Sequence, residues 1–341
     1  MNSDNHFPDA FITLAHGNGG RYMRELIENL FAKHLRNEHL DTGADAAPIP
    51  LPHACGQVMI TTDGFTVEPI EFPGGNIGSL AIHGTVNDLA VSGAIPCYLT
   101  LNAFIEEGLE IALLDRIVKS LADASRCCGV QVVAGDTKVL RRGQGGGIYF
   151  ATTGVGIRPP ALNLGIGHIG IGDAILLSGS AGDHGTAVLL AREQFGLSGT
   201  LKSDAASVLP ITQALLEVPG LRFMRDPTRG GIATVMHEMA HACQQTVRLF
   251  ETAIPVHDQV KTVAGILGYD PYYMACEGRV VAVVASDQAD RALAAMRHAG
   301  CSDAAIIGRI ESGRAQVLLE TELGGERILE ELEDDPLPRI C

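Results

Sequence analysis

The chain has 341 residues, enough for about two domains of ordinary size, and 46% of them are hydrophobic, enough for packed cores. Its 25 Lys and Arg face 40 Asp and Glu, which gives a formal net charge of −15, and Trp is absent. Because the chain has neither basic runs nor an aromatic platform, the composition argues against nucleic-acid binding.

No apolar stretch reaches the roughly 18–20 residues that span a bilayer, so we expect no membrane segment. The opening MNSDNHFPDA has neither the basic nor the apolar region of an export signal. Eight cysteines are scattered without a CxxC pair, which is typical of reduced, mostly buried thiols rather than of a disulfide framework. We therefore expect a cytoplasmic protein.

Strand and helix patterns alternate along the first half of the chain. The amphipathic helix at residues 110–129 ends on Gly129, a residue suited to a left-handed helix cap. In chain order we predict a strand at 57–65, a helix at 77–93, a strand at 94–105, the helix at 110–129, and strands at 130–137 and 147–157.

A proline-containing break at 158–173 precedes a second alternating half. We predict a strand at 174–180, a loop at 181–185, helices at 186–196, 207–218 and 232–243, a strand at 279–286, a helix at 289–300 and a hairpin at 315–332. Residues 320–335 carry eight acids against one Arg, which is typical of a solvated segment. The pattern predicts an α/β (α+β) protein with domains at 11–158 and 165–320 and a tail at 321–341.

One stretch, GIGHIG at 165–170, matches the GxGxxG pattern of dinucleotide-binding sites. That pattern needs a strand before it and a helix after it, whereas here a linker precedes and a strand follows. We interpret the stretch as a chance match.

Aspartates at the ends of extended runs or in glycine-flanked loops are more informative. Asp63, Asp136 and Asp226 occupy such positions, and Asp88 lies beside Asn87 in a helical pattern. Each Asp alone is most simply a turn residue, but carboxylates gathered at strand ends can hold Mg²⁺. Glycine-rich loops at 16–20 and 143–147 could cradle phosphate oxygens. Together these features favour a site for Mg²⁺ and a nucleotide.

HEMAH at 237–241 matches the HExxH signature of zinc proteases. A zinc site would need a third ligand and an open coordination position. The helix that carries the motif has an apolar face suited to packing, so we do not favour a protease.

Six stretches together resemble the HypE family of hydrogenase maturation factors: HGNGGR (16–21), TTDGFTVEPIEFPGGNIGSLAIHGTVNDLAVSGA (61–94), AGDTKV (134–139), GDHG (182–185), RDPTRGGIATVMHE (225–238) and the terminal PRIC (338–341). The internal motifs are shared with the superfamily of aminoimidazole ribonucleotide synthetase and selenophosphate synthetase. The combination with PRIC at the carboxyl end is specific to the carbamoyl dehydratases. The resemblance covers the chain after about residue 10, which implies an N-terminal extension at 1–10.

The resemblance implies an aminoimidazole ribonucleotide synthetase-like fold, with a mixed sheet in an N-terminal dimerising domain, a C-terminal α/β domain and a flexible tail. It implies a homodimer that uses ATP and Mg²⁺. The implied reaction dehydrates an S-carbamoyl group, placed on the terminal cysteine by the carbamoyltransferase HypF, to a thiocyanate. The cyanide then passes to an iron atom held by HypC and HypD for the [NiFe]-hydrogenase active site.

The resemblance also assigns roles to residues, by motif position. Those implied to bind metal and phosphate are Asp63, Asp88 and Asp226, with Asp136 as a fourth member and Asn87 beside them at the nucleotide. The loop implied to close over the phosphates is Gly17, Asn18, Gly19 and Gly20. Lys138 and Glu277 are implied to act on the substrate, with Glu277 as the base and Lys138 as a stabilising cation; a neutral Lys138 acting as base stays an alternative.

Cys341 is the implied carrier of the carbamoyl group, and it must meet HypF, the ATP site and the iron complex in turn. Residues 332–341 could extend on the order of 30 Å. Pro336 and Pro338 favour an extended arm, and Arg339 offers a cation to phosphates or to the terminal carboxylate.

Two other functions stay open. Selenophosphate synthetases share the Asp–Gly loops but carry a reactive Cys or selenocysteine and a Lys near the N-terminal glycine loop, which HGNGGR lacks. A non-catalytic scaffold could present the tail to assembly partners without ATP turnover.

Overall fold

The structure is a computed structural model, and it describes residues 9–17, 21–40, 42, 56–192, 196 and 199–332. Among these residues, none of the helices combines the length and the apolar character that crossing a membrane requires.

The first domain opens with a short 3₁₀ turn and a helical segment that a π turn interrupts. Its helices and strands are α1 (Arg21–Leu26), α2 (Ala32–Leu35), β1 (Gln57–Phe65), β2 (Glu71–Phe72), β3 (Gly75–Asn76), α3 (Ile77–Val91), β4 (Ile95–Glu106), α4 (Ile111–Cys128), β5 (Gln131–Leu140) and β6 (Ile148–Arg158). A four-stranded sheet has the order β1-β6-β4-β5, in which only β4 and β5 run parallel. The predicted mixed sheet is confirmed.

Helices α3 and α4 cover one face of this sheet. Asn76 caps α3 by accepting from the N–H groups of Gly78 and Ser79, and α4 ends at Gly129 in the left-handed conformation, as predicted. A Cβ on Gly78 would lie 2.3 Å from the carbonyl oxygen of Ile117. The two helices therefore touch backbone to backbone, which fixes α3 over the sheet.

The second domain contains β7 (Ala174–Leu177), α5 (Asp183–Ala191), α6 (Leu209–Leu216), β8 (Leu221–Arg225), α7 (Gly231–Cys243), β9 (Thr246–Phe250), α8 (Asp258–Leu267), β10 (Val281–Val284), α9 (Ala289–His298), β11 (Ala305–Glu311), β12 (Gln316–Glu320) and β13 (Glu326–Ile328). Its seven-stranded sheet has the order β13-β12-β9-β11-β7-β10-β8. Only β12 and β9 pair in parallel. The predicted hairpin is present as β12 and β13.

The GIGHIG stretch, several short elements and the cysteines can be compared with the sequence expectations. GIGHIG forms only a 3₁₀ turn at Ile166–His168 before a strand, so it is not a dinucleotide-binding turn. Strands β8, β9 and β11 and helix α8 were not predicted. Of the cysteines, Cys128 and Cys276 are buried but Cys127 is exposed, and the described cysteines are free thiols.

The segment after β13 is packed against the second domain. Leu329 is fully buried, and its N–H donates to the carbonyl of Val317 at 3.0 Å. We predicted a tail from residue 321, but the packing of Leu329 means that a free arm can begin only beyond it.

Candidate active site

Two of the predicted metal-binding carboxylates meet where β1 packs on α3. Thr61 Oγ1 donates to Asp88 Oδ2 at 2.8 Å. Asp63, two residues along β1, points to the same face because strand side chains alternate. Its Oδ2 lies 3.9 Å from where a Cβ on Gly84 would stand, one helical turn before Asp88. The glycine therefore leaves room for the carboxylate beside α3.

The third carboxylate comes from the second domain. Asp226 directly follows β8 and is only 8% exposed. It lines a cavity of about 330 Å³ at the domain junction, together with Asp88, Thr61 and Arg225. The structure thus brings Asp63, Asp88 and Asp226 to one junction between the domains.

Burial and mutual repulsion disturb the ionisation of these groups. For Asp226, burial and the charges of Asp88 and Asp63 raise the pKa to about 7, although Arg225 opposes the shift. Burial also raises the pKa of Asp88, with Asp63 adding to the effect. Desolvation also raises the pKa of Asp63, although the hydrogen bond from the N–H of Gly64 and the charge of Arg229 oppose the shift. A cation would relieve all three carboxylates at once.

The three carboxylates are close but do not touch. Among the described residues, the oxygens of Asp63, Asp88 and Asp226 do not all lie within 4.8 Å of one another. Hard oxygen ligands around an open, polar space suit Mg²⁺, which keeps several ligands from water or phosphate. The donor set therefore fits Mg²⁺ bound together with a nucleotide.

Asn87 is buried, and protein groups occupy its side chain. Its Nδ2 donates to the carbonyls of Ala206 at 3.0 Å and Glu277 at 3.2 Å. Its Oδ1 accepts from the N–H of Val208 at 2.9 Å. Both amide hydrogens are therefore used inside the protein, and the contact of Asn87 with the nucleotide stays a prediction. What the structure shows is a tie between α3 and the second domain.

The other two predicted substrate residues lie apart from each other. Glu277 is 6% exposed in the second domain, before β10. Lys138 is exposed on β5, where its Nζ lies 3.0 Å from Asp136 Oδ2. The described contacts of Lys138 are thus with Asp136 rather than with Glu277.

Asp136 does not join the other aspartates within one chain, and the prediction of a single four-carboxylate set is wrong. β1 and β5 are opposite edges of the sheet, three strand spacings apart, or about 14 Å. Asp63 pairs with Thr152, whereas Asp136 pairs with Asn102. Following the register across the sheet, Asp136 and Lys138 point away from α3. Strand order, which the sequence did not reveal, separates them.

The glycine loop begins beside β5. A Cβ on Gly17 would lie 2.8 Å from Val139 Cβ and 2.9 Å from Val139 N, so the loop starts in close contact with the strand that carries Asp136 and Lys138. The predicted loop residues Asn18, Gly19 and Gly20, and the predicted carrier Cys341, lie outside the described residues.

The HEMAH helix has a different neighbourhood. His237, His241 and Glu331 bring ligand atoms within 4.8 Å of one another. However, His237 Nε2 donates to the carbonyl of Leu329 at 2.9 Å, and Glu238, the residue that would act in a protease, pairs with Arg225 at 3.2 Å. The contacts of this helix hold the segment after β13.

Sequence reasoning missed several residues that shape the site. Thr61, the partner of Asp88, stands in TTDG, and Arg225, near the carboxylates, stands in RDPTRGG. Both lie inside quoted motifs, so motif membership could have indicated them. Asp204, which accepts from the backbone N–H of Glu277, carries no comparable signal.

Comparison with known proteins identifies the family. Residues 43–158 match the N-terminal domain, and residues 170–319 the C-terminal domain, of AIR synthase related proteins. The carbamoyl dehydratase HypE of Azotobacter vinelandii is 46% identical over 97% of both chains. The chain belongs to the HypE family. A crystal structure of the HypE maturation protein in complex with ATP superposes with a TM-score of 0.91 at 43% identity, covering 96% of this chain and 99% of that one.

A HypE–HypF complex also has a HypE-like chain that matches, with a TM-score of 0.79, 39% identity, and coverage of 90% of this chain and 99% of that chain. The fold and the hydrogenase-maturation family expected from the motifs are thus confirmed. The family relationship also supports an ATP-using enzyme.

Proposed function

We propose that this chain catalyses the ATP-dependent dehydration of an S-carbamoyl group on Cys341 to a thiocyanate, which supplies the cyanide ligand for the iron of the [NiFe]-hydrogenase active site. The observation that carries the proposal is the convergence of Asp63, Asp88 and Asp226 at the domain junction, with the pKa of Asp226 raised to about 7. Such a cluster has little structural benefit but suits a site for Mg²⁺ and phosphates. The carbamoyl dehydratase relatives supply the reaction class.

The reaction balances without an oxidant or reductant. The terminal phosphoryl group of ATP passes to the carbamoyl oxygen, while one N–H proton leaves, giving an S-bound phosphorylated imidate and ADP. Loss of the second N–H proton with departure of phosphate then leaves S–C≡N. Phosphorylation is needed because the carbonyl oxygen is otherwise a poor leaving group. The protein must therefore position the phosphoryl donor in line and accept protons.

Asp63, Asp88 and Asp226 would hold Mg²⁺, which offsets the negative charge of the phosphates when it is bound. Gly17 and the following glycines are proposed to supply backbone N–H groups to those phosphates. Asp136 is proposed to contact the nucleotide from β5 rather than to share the cluster of the other three aspartates.

Glu277 is proposed as the base that removes the nitrogen protons. Its side chain is nearly buried, and its backbone carbonyl is tied to Asn87, the neighbour of Asp88. This hydrogen bond fixes the position of the proposed base relative to α3, the helix that carries Asp88. Lys138 is proposed to stabilise negative charge on the carbamoyl oxygen, in exchange for its present pairing with Asp136.

HypF is the proposed source of the carbamoyl group, in line with the known HypE–HypF assembly. An iron-bearing HypC–HypD complex is the proposed acceptor of cyanide. A homodimer is proposed through the sheet face opposite α3, where Val58, Ile60 and Ile95 are 50%, 72% and 53% exposed. Ile60→Lys should therefore lower the sedimentation coefficient to that of a monomer; an unchanged value would contradict this interface.

The test compares wild type with Asp88→Asn, which keeps the size of the side chain but removes a charge from the cluster. Each protein is carbamoylated by HypF, purified and mixed with MgATP, and ADP release is measured. We expect one burst of ADP per carbamoylated tail from wild type and a loss of at least about 10²-fold in the variant. A scaffold predicts no tail-dependent ADP from wild type and full maturation with Asp88→Asn. A selenophosphate synthetase would instead consume ATP with selenide and without a carbamoylated tail.

A further inference from the structure

A short connecting segment, residues 203–208, crosses between the two domains, and we call it the strap. Its Ser203 N–H donates to the carbonyl of Pro73 in the first domain at 2.8 Å. Further along, Ala206 O and Val208 N are the groups that bind the side chain of Asn87. The strap is therefore fixed to the first domain at both ends.

Between these two ends, Asp204 reaches the peptide that carries the proposed base. Its side chain is 1% exposed. Oδ1 accepts from the N–H of Glu277 at 3.2 Å, and Oδ2 accepts from the N–H of Gly278 at 3.2 Å. A Cβ on Gly278 would lie 1.9 Å from the carbonyl oxygen of Asp204, so the two backbones are in direct contact. Only a glycine allows the carboxylate to reach both N–H groups.

A buried charge needs a partner, and Asp204 has one. Arg279 Nε lies 3.4 Å from Asp204 Oδ2, and Arg279 Nη2 lies 2.9 Å from Asp183 Oδ2. Asp183 begins α5 and also accepts from Ser180 Oγ at 2.8 Å and meets His257 Nδ1 at 2.9 Å. This network gives the GDHG motif a role, because it fixes the guanidinium that faces Asp204.

The peptide of Glu277 is consequently held from two sides. Asn87, on the helix of Asp88, binds its carbonyl, and Asp204 binds its N–H. We propose that Asp204 is a positioning residue that, opposite Asn87, fixes the Glu277 peptide relative to the carboxylate cluster at the domain junction. This inference rests on the proposed function, since it assigns Glu277 as the base. A base displaced by about 1 Å loses on the order of 10²-fold in rate.

The test is Asp204→Asn, which keeps the shape but can offer only one acceptor oxygen to the two N–H groups. With HypF-carbamoylated protein, we expect the single-turnover dehydration rate at saturating MgATP to fall about 10²-fold, with an unchanged Kd for MgATP. In a Glu277→Gln background, the same change should have no further effect on the residual rate. That combination separates positioning of Glu277 from general damage.

Asp173→Asn is the matched control. Asp173 is a buried carboxylate in the same domain that likewise accepts from a backbone N–H, that of Gly170 at 2.8 Å, and faces Arg222 at 3.7 Å. It should lose stability without losing rate. If Asp204→Asn does not fold, Asp204→Glu keeps the charge opposite Arg279 and moves the carboxylate by one methylene. It should show the same loss of rate.

The outcomes are distinguishable. Full activity of a folded Asp204 variant, or an equal loss of rate in the Glu277→Gln background, overturns the positioning role alone. A wild-type protein that binds MgATP but never dehydrates its tail overturns the proposed function instead.

Discussion

The raised pKa of Asp226 leads to an unexpected prediction: replacing this site residue with Asn should stabilise the folded protein at neutral pH. The pKa of Asp226 is raised from its unperturbed value of 3.8 to about 7. Burial is the largest cause, and the charges of Asp88 and Asp63 add to it. A group whose pKa is higher in the folded state binds a proton on folding. Its stabilising contribution is complete below pH 4 and is lost as the pH rises to 7.

Asp226→Asn stays neutral at every pH and so escapes this loss. From pH 5 to pH 7, the wild type loses about 1.4 kcal/mol of stability for each pH unit. The difference in free energy of unfolding between variant and wild type should therefore move by about 3 kcal/mol in favour of the variant between pH 5 and pH 8.

The assay is urea denaturation of both proteins at pH 5 and pH 8 without nucleotide or divalent cation. Asp287→Asn is the control, because Asp287 is exposed and its substitution should change stability by less than about 0.5 kcal/mol at either pH. MgATP at about 100 times its Kd should stabilise wild type by about 2.7 kcal/mol and Asp226→Asn by much less. A pH-independent difference, or a variant that is less stable at pH 8, would refute the account of the cluster.

Three further predictions follow from single contacts. Gly78→Ala places a Cβ 2.3 Å from a backbone carbonyl oxygen and should lower the free energy of unfolding by about 1–3 kcal/mol. The control Gly265→Ala, in α8 with nothing within 4 Å of its Cβ, should raise it by up to about 1 kcal/mol. Equal effects of the two substitutions in urea denaturation would contradict the packing of α3. Leu329→Ala removes a fully buried anchor and should cost about 2–5 kcal/mol, and protection of the segment after β13 in hydrogen exchange should fall with it. Lys138→Gln breaks only an exposed ion pair, so the free energy of unfolding should change by less than about 1 kcal/mol. Tail-dependent ADP release should nevertheless be lost. Retained ADP release would remove Lys138 from the mechanism.

Local signals predicted much of the fold. The amphipathic spacing of α4 and the glycine at its end placed both boundaries to within a residue, because the helix satisfies its own hydrogen bonds and its cap is local. Strands β8, β9 and β11 were missed because LRFMR, TVRLF and AIIGRIE mix charged with apolar residues. The even shorter strands β7 and β10 were predicted because AILL and VAVV are continuous apolar runs. The positions of β8, β9 and β11 depend on partners far along the chain.

The site shows the same division. Asp63, Asp88 and Asp226 lie in motifs that predicted a common site, and the fold does bring them to one junction between the domains. Asp136 belongs to an equally good motif but lies on the opposite edge strand, since strand order is set by pairing across the whole sheet. Asp204 could not be predicted at all, because it acts through two backbone N–H groups that have no sequence signature.

The most direct test of the central claim is the intact mass of the protein after each step. Incubation with HypF, carbamoyl phosphate and MgATP should add one carbamoyl group and then remove one water molecule, so that wild type gains a net cyano group, whereas Asp88→Asn should stop at the carbamoyl mass. The modified fragment should be the one that ends in Cys341. If Cys341→Ala still gains the carbamoyl or the cyano mass, or if the carbamoylated wild type keeps its water in the presence of MgATP, the account is contradicted.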